Sequence, residues 1–153
     1  MKNRNALPAA ALAMIVACGL LLSGLVASDE GADHKVAIHV DENDPKRMNM
    51  ALNNVANIKK YYDSIGETVA IELVAYGPGL HMMREDTSPV KERIAVMSLE
   101  IENLTFSACG NTHSNMSKKA GKEITLLDEV SLVPSGVVQL VSLQEKGYAY
   151  VRP

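Results

Sequence analysis

The sequence predicts an α/β domain: a three-layer α/β/α arrangement around a mostly parallel five-stranded sheet. Three observations lead there. Short runs rich in Val, Ile and Leu alternate with longer segments whose apolar residues recur every three or four positions, and strand–helix alternation means a parallel sheet with helices on both faces. Most runs end in a turn signal, at Asp41–Asp44, Gly77-Pro78-Gly79, Gly110-Asn111 and Pro134-Ser135, the residues that bend a chain out of a sheet. Residues 34–153 hold no internal repeat, low-complexity tract or linker, so they read as one domain.

The elements follow in order. Val36–Val40 is a buried first strand. Asp44 then caps a helix with Pro45 at its first position; Met48, Leu52, Val55, Ile58, Tyr62 and Ile65 form its apolar stripe, and Gly66 stops it. Val69–Tyr76 is the second strand, and Gly77-Pro78-Gly79 forces a tight exit. Ser88-Pro89 opens a helix with Val90, Ile94, Met97 and Ile101 on one face, leading to a third strand, Leu104–Cys109. Asn111-Thr112 caps a short helix through about Lys119, broken by Gly121. Val130–Val133 is the fourth strand; Ser135 caps a helix containing Val137, Leu140, Val141 and Gln144; Gly147 closes it; and Tyr148–Val151 is the fifth strand. With no Trp and a single Phe, the core is aliphatic.

The first 28 residues read as a secretory signal: Lys2 and Arg4, an apolar stretch from Ala9 to Val26, and Val26 and Ser28 as small-residue cleavage determinants before the acidic Asp29-Glu30. An uncleaved membrane anchor is the alternative, because the run approaches the ~20 residues that span a bilayer; Gly19, Ser23 and Gly24 weaken it as a helix. Ile15-Val16-Ala17-Cys18 also fits a loose lipobox, although the apolar stretch continues past Cys18. Cleavage predicts an exported, periplasmic protein with no membrane contact. Of the 15 Lys and Arg, Lys2 and Arg4 would go, leaving 13 against 18 acidic residues, a net −5. That balance excludes nucleic acid and anionic membrane surfaces as partners, since both need a basic patch.

Cys109 carries the clearest chemical signal. It is one of two cysteines, and the other, Cys18, lies in the segment to be removed. A single thiol has no internal disulfide partner, so the domain is not a disulfide scaffold. It ends a strand just before a helix, where N–H groups and the helix dipole favour the thiolate, and Gly110 leaves the turn open. Free cysteines are also among the most buried residues, so an inert structural Cys109 stands beside the reactive reading.

Ligands of open parallel sheets bind beyond the carboxyl ends of the strands. That edge gathers His39 and Asp41, then Tyr76, Gly77 and His81, then Cys109, Gly110, Asn111 and His113, then Ser135 and Gly136. A metal set of Cys109, His113 and His81, with His39 or the sulfurs of Met82, Met83 and Met116 beside it, is an alternative whose spacing is weak, one Cys-x-x-x-His pair without a second. Gly77-Pro78-Gly79 lacks the third glycine of a dinucleotide loop, Pro78 removes a donor, and no P-loop or Ser/His/Asp arrangement is legible. No cofactor is implied.

Five segments, in order, resemble the DsrE/DsrF-like family: Leu52-Asn53-Asn54-Val55-Ala56-Asn57, Val74–Leu80, Ala108-Cys109-Gly110-Asn111-Thr112, Val133–Val137 and the ending Gln144–Pro153. The resemblance spans about His34 to Pro153. It implies a compact α/β/α domain assembled as a homo-oligomer, a trimer or hexamer, and a cysteine carrying sulfane sulfur as a persulfide. Cys109 matches that cysteine, with Gly110, Asn111 and Tyr76 around it. It implies at most a sulfurtransferase-like carrier or reactive-sulfur sensor, exchanging with donor and acceptor proteins or small thiols. A non-enzymatic oligomeric module binding a small ligand or metal, with a structural Cys109, is the alternative. Family relays work in the cytoplasm, whereas this chain carries an export signal; and His113 stands where close relatives have an apolar residue, often Met. Intact-mass measurement of the secreted protein should find Asp29 as its first residue; a mature chain retaining residues 1–28 would support the anchor instead.

Overall fold

The computed structural model describes residues 31–153, so the proposed signal, with Cys18, lies outside it. Five strands alternate with four α-helices: β1 (His34–Val40), α1 (Pro45–Ser64), β2 (Val69–Ala75), α2 (Lys91–Glu100), β3 (Leu104–Cys109), α3 (Gly110–Ala120), β4 (Val130–Val133), α4 (Gly136–Glu145) and β5 (Ala149–Val151). The sheet order is β4-β3-β2-β1-β5, and every pairing is parallel. The chain steps outward from β1 to β4, and α4 then carries it back so that β5 joins the far side of β1. Among the described residues no helix is long and apolar enough to cross a membrane.

The two faces of the sheet are unequal. Val36, Ile38 and Val40, Ile71, Leu73 and Ala75, and Phe106 and Ala108 point into the main core with Met48, Leu52 and Val55 of α1 and Ile94 and Met97 of α2. This core is aliphatic except for Phe106. The alternate positions Ala37 and Val74 meet Leu140 and Leu143 of α4, and Tyr148, in a small second cluster. A polar tie also fastens α4: Glu72 Oε1 accepts from Ser107 Oγ (2.6 Å) and from Gln139 Nε2 (2.8 Å).

Several boundaries differ from expectation. The α1 cap is as predicted, Asp44 accepting from the Lys46 N–H at 2.9 Å, but Ile65 is the C-cap and half exposed. Gly77–Met83 is a 3-10 helix rather than a plain turn, and it buries Leu80, Met82 and Met83. The second helix starts at Lys91, and Ser88 lies in the turn before it, where its hydroxyl donates to the Met82 carbonyl (2.5 Å) and accepts from the Val90 N–H (3.3 Å). Cys109 itself, not Asn111 or Thr112, is the cap residue of α3. Ser135 occupies the cap position of α4 without a side-chain hydrogen bond. Tyr148 precedes β5 and is buried under α4.

The end of β1 is pressed against the 3-10 helix at one point. A Cβ on Gly79 would lie 2.2 Å from the Val40 carbonyl oxygen and 2.8 Å from Asp41 Cα. Both are backbone atoms that cannot swing aside. Gly79→Ala should therefore lower stability by about 3 kcal/mol or more, read as a fall in the urea midpoint; an unchanged midpoint would contradict this packing.

Candidate active site

Cys109 ends β3, and α3 begins at the next residue, so its sulfur faces the first N–H groups of that helix. Position 109 alternates with Phe106 and Ala108, which are in the main core, and therefore falls on the α4 side with Ser107. The Cys109 residue is 5% exposed. Burial pushes its thiol up, but hydrogen bonds from the Thr112 hydroxyl and from the N–H groups of Gly136, Thr112 and Asn111 outweigh burial and hold the pKa below the ordinary thiol range. These donors come from the N-termini of two helices, α3 and α4. Helix N-termini stabilise anions through oriented N–H groups, and the thiolate is the nucleophilic form of cysteine.

Glycines let these parts meet. A Cβ on Gly136 would lie 2.9 Å from Tyr76 Cβ and 3.1 Å from Cys109 Cβ, and one on Gly110 would lie 3.0 Å from the Val133 carbonyl oxygen. Gly77, at φ +53°, turns its N–H onto Thr112 Oγ1 (3.0 Å). The Thr112 hydroxyl thus accepts from one loop, which leaves its proton for the sulfur whose pKa it lowers.

A second group of polar side chains continues across the same face. The His39 ring stacks on Tyr76 with centroids 4.5 Å apart, and its Nδ1 is 2.7 Å from the Tyr150 hydroxyl. Tyr150 pairs with Ala37 across β1 and β5 and so shares the α4 face. Asp41 holds Arg152 through Oδ1 and Oδ2, each at 3.0 Å from Nη2. Burial lowers the His39 pKa; Asp41 pulls it up and Arg152 pushes it down. Burial also raises Tyr76, with Asp41, Tyr150 and Cys109 adding to the rise and Arg152 opposing it.

Cys109, Tyr76, Gly77, Gly110 and Asn111 are therefore brought together as the sequence suggested. His113 is not part of this group: its Nε2 donates to the Ile124 carbonyl (2.6 Å), a tie within the loop after α3. His81 bonds Thr87 Oγ1 through Nδ1 (2.9 Å) and lines an open groove of about 370 Å3 that reaches the site only through Gly77 and Thr112. The alternative metal set of Cys109, His113 and His81 does not assemble; among the described residues no three His, Cys, Asp or Glu side chains form a group that could hold a metal ion. Sequence reasoning missed the Thr112 hydroxyl as a sulfur ligand and missed Tyr150. Thr112 sits three residues after Cys109, the spacing at which a helix returns a group to its cap position, and that signal was readable. Tyr150 could be found only once β5 was placed beside β1.

No family model and no curated protein matches the chain. Among solved structures, the protein of unknown function MTH1491 from Methanobacterium thermoautotrophicum matches with a TM-score of 0.65 and 33% identity, over 79% of this chain and 100% of that one. The chain belongs to the family of that archaeal protein. The match establishes a shared α/β fold for the family, while the chemistry of its members rests on the site itself.

The donors around sulfur have a measurable consequence. Native alkylation of Cys109 by iodoacetamide should rise with pH through a midpoint below that of an ordinary thiol, about 8.5. Thr112→Val should move the midpoint up and slow alkylation at neutral pH several-fold. Because the folded pKa is depressed, the ionised thiol adds stability above the ordinary thiol pKa and loses it as pH falls through the folded value. A midpoint at or above the ordinary value in the wild-type protein would contradict the assignment.

Proposed function

We propose that this protein is an exported sulfane-sulfur carrier, or reactive-sulfur sensor, acting through Cys109. The observation carrying the proposal is the seat of Cys109 at the N-terminus of α3 with Gly136, the first residue of α4, packed against it, where donors from both helices and the Thr112 hydroxyl favour the thiolate. The step is a simple displacement. The Cys109 thiolate attacks the outer sulfur of a persulfide R–S–SH; a new S–S bond forms to Cys109, the old S–S bond breaks, and its electron pair leaves as R–S⁻. The adduct, Cys109–S–SH, loses its proton more readily than a thiol, and the same donors that favour the thiolate favour the resulting anion. Neither an oxidant nor a cofactor is required. The enclosed sulfur supports a carrier role, since a persulfide shielded from solvent is protected from competing thiols.

Assembly as a homo-oligomer belongs to the same proposal. What supports it is the outer side of α4, where Val137, Val138 and Val141 stand about half exposed, an apolar strip of the kind that copies of a chain bury against each other. Export is supported by the signal-like layout of residues 1–28.

Incubating the mature protein with inorganic polysulfide should add sulfur to Cys109, seen by intact-protein mass spectrometry and removed by dithiothreitol, while Cys109→Ser should take up none. A folded wild-type protein that gains no sulfur, with a thiol closed to native alkylation, would overturn the proposal in favour of a structural cysteine.

A further inference from the structure

His39 is 4% exposed, yet among the described residues its Nε2 has no hydrogen-bond partner. Leaving a buried polar atom unpaired costs on the order of 1–3 kcal/mol, so such an atom in a native site calls for a reason. Its surroundings are well defined. Tyr150 of β5 meets Nδ1 at 2.7 Å, Tyr76 covers the ring face, and Asp41 Oδ2 stands 3.9 Å from Nε2, too far for a direct hydrogen bond. A cavity of about 10 Å3, bounded by His39, Asp41, Glu42, Arg47 of α1 and Pro153, adjoins the ring. That is the size of one water molecule. Arg152 is held on Asp41, and Arg47 donates to the Pro153 carbonyl, so Pro153 is fixed where it bounds this cavity. On the other side the Tyr150 residue is 44% exposed. The imidazole therefore connects a water-sized, charged compartment with the hydroxyl of a partly exposed tyrosine.

The structure assigns His39 and Tyr150 as a proton relay for the Cys109 site, with Tyr150 as the hydroxyl that protonates the thiol departing from a small persulfide donor. The inference rests on the sulfur-carrier reading of Cys109. Cys109, Tyr76, His39 and Tyr150 come from β3, the end of β2, β1 and β5, which are neighbours in that order, and Tyr76 touches the row on both sides, beside Cys109 at Gly136 and stacked on His39. The relay requires a donor that lies along Tyr76, across the two strands between β3 and β5, with its departing sulfur on the Tyr150 side. When R–S⁻ leaves, Tyr150 gives it the hydroxyl proton, the Nδ1–H of His39 passes to the Tyr150 oxygen, and Nε2 takes a proton from a water in the cavity, which draws one from solvent. The products are Cys109–S–SH and R–SH, with one proton consumed from solvent. His39 suits this task as a neutral ring, the state that burial favours. His39 is a positioning residue here, and Tyr150 the group in contact with donor.

The test is single-turnover reaction of the full mature chain with two reagents whose leaving thiols differ. Glutathione persulfide releases an alkyl thiol that needs a proton; an aromatic disulfide with a nitro-substituted thiol releases a stable thiolate that needs none. Tyr150→Phe and His39→Asn, the latter keeping an N–H donor near the Nδ1 position but unable to relay a proton, should slow sulfur uptake from glutathione persulfide at least about tenfold and flatten its pH dependence, while reaction with the aromatic disulfide stays within about twofold. Iodoacetamide alkylation of Cys109 reports whether each variant retains its thiolate site. Folded variants that load at the wild-type rate, or that lose both reactions equally, would overturn the relay and leave the carrier reading standing. A wild-type protein that takes no sulfur from glutathione persulfide would overturn both.

Discussion

The contact on which the site depends is the seat of Gly136 against Tyr76 and Cys109. Helices that follow strands of a parallel sheet all begin at the same edge, so the positive ends of α3 and α4 are delivered to the neighbourhood of Cys109 by topology alone. Delivery is not contact. A side chain at 136 would collide with Tyr76 Cβ and Cys109 Cβ and hold the α4 N-terminus off the sulfur. The absence of that side chain lets the Gly136 N–H join those of Asn111 and Thr112. Desolvation, which would otherwise keep a buried thiol protonated, is outweighed by this convergence.

The uneven covering of the sheet explains where the polar chemistry sits. One face is sealed by α1, α2 and the 3-10 helix with aliphatic side chains. The other is covered mainly by α4, which supplies Leu140 and Leu143 to a small cluster and Gln139 to the Glu72–Ser107 pair. A single helix cannot cover five strands. The strand ends it leaves free on this face are those that carry Tyr76, His39 and Tyr150, so the fold concentrates polar groups where it has no apolar surface to bury.

Much of this was legible along the chain. The alternation of Val- and Ile-rich runs with three- and four-spaced stripes is a local property, and it located every strand and every α-helix to within a few residues. Cys109 was legible because a strand, a cysteine and a glycine in succession mark a strand-to-helix turn, whatever surrounds them. Local rules fail here where they meet a tertiary demand. Gly77-Pro78-Gly79 reads locally as a turn, but the segment winds on as a 3-10 helix that buries Leu80, Met82 and Met83. Ser88-Pro89 reads as the opening of a helix, but it forms the turn before one, with Ser88 bridging the Met82 carbonyl and the Val90 N–H. Nearness to Cys109 in sequence suggests His113 for the site, but its Nε2 is engaged by the Ile124 carbonyl in the loop after α3.

By itself the sequence determined the α/β class, the aliphatic core and the place of Cys109 at a strand end, because each of these depends on composition or on residues a few positions apart. The tertiary structure decided the strand order, the two-helix setting of the sulfur, and the row from Cys109 through Tyr76 and His39 to Tyr150. Those partners are separated by tens of residues to more than a hundred, as His39 is from Tyr150. Nothing in a local pattern specifies such a pairing; it exists because α4 returns the chain across the sheet and sets β5 beside β1.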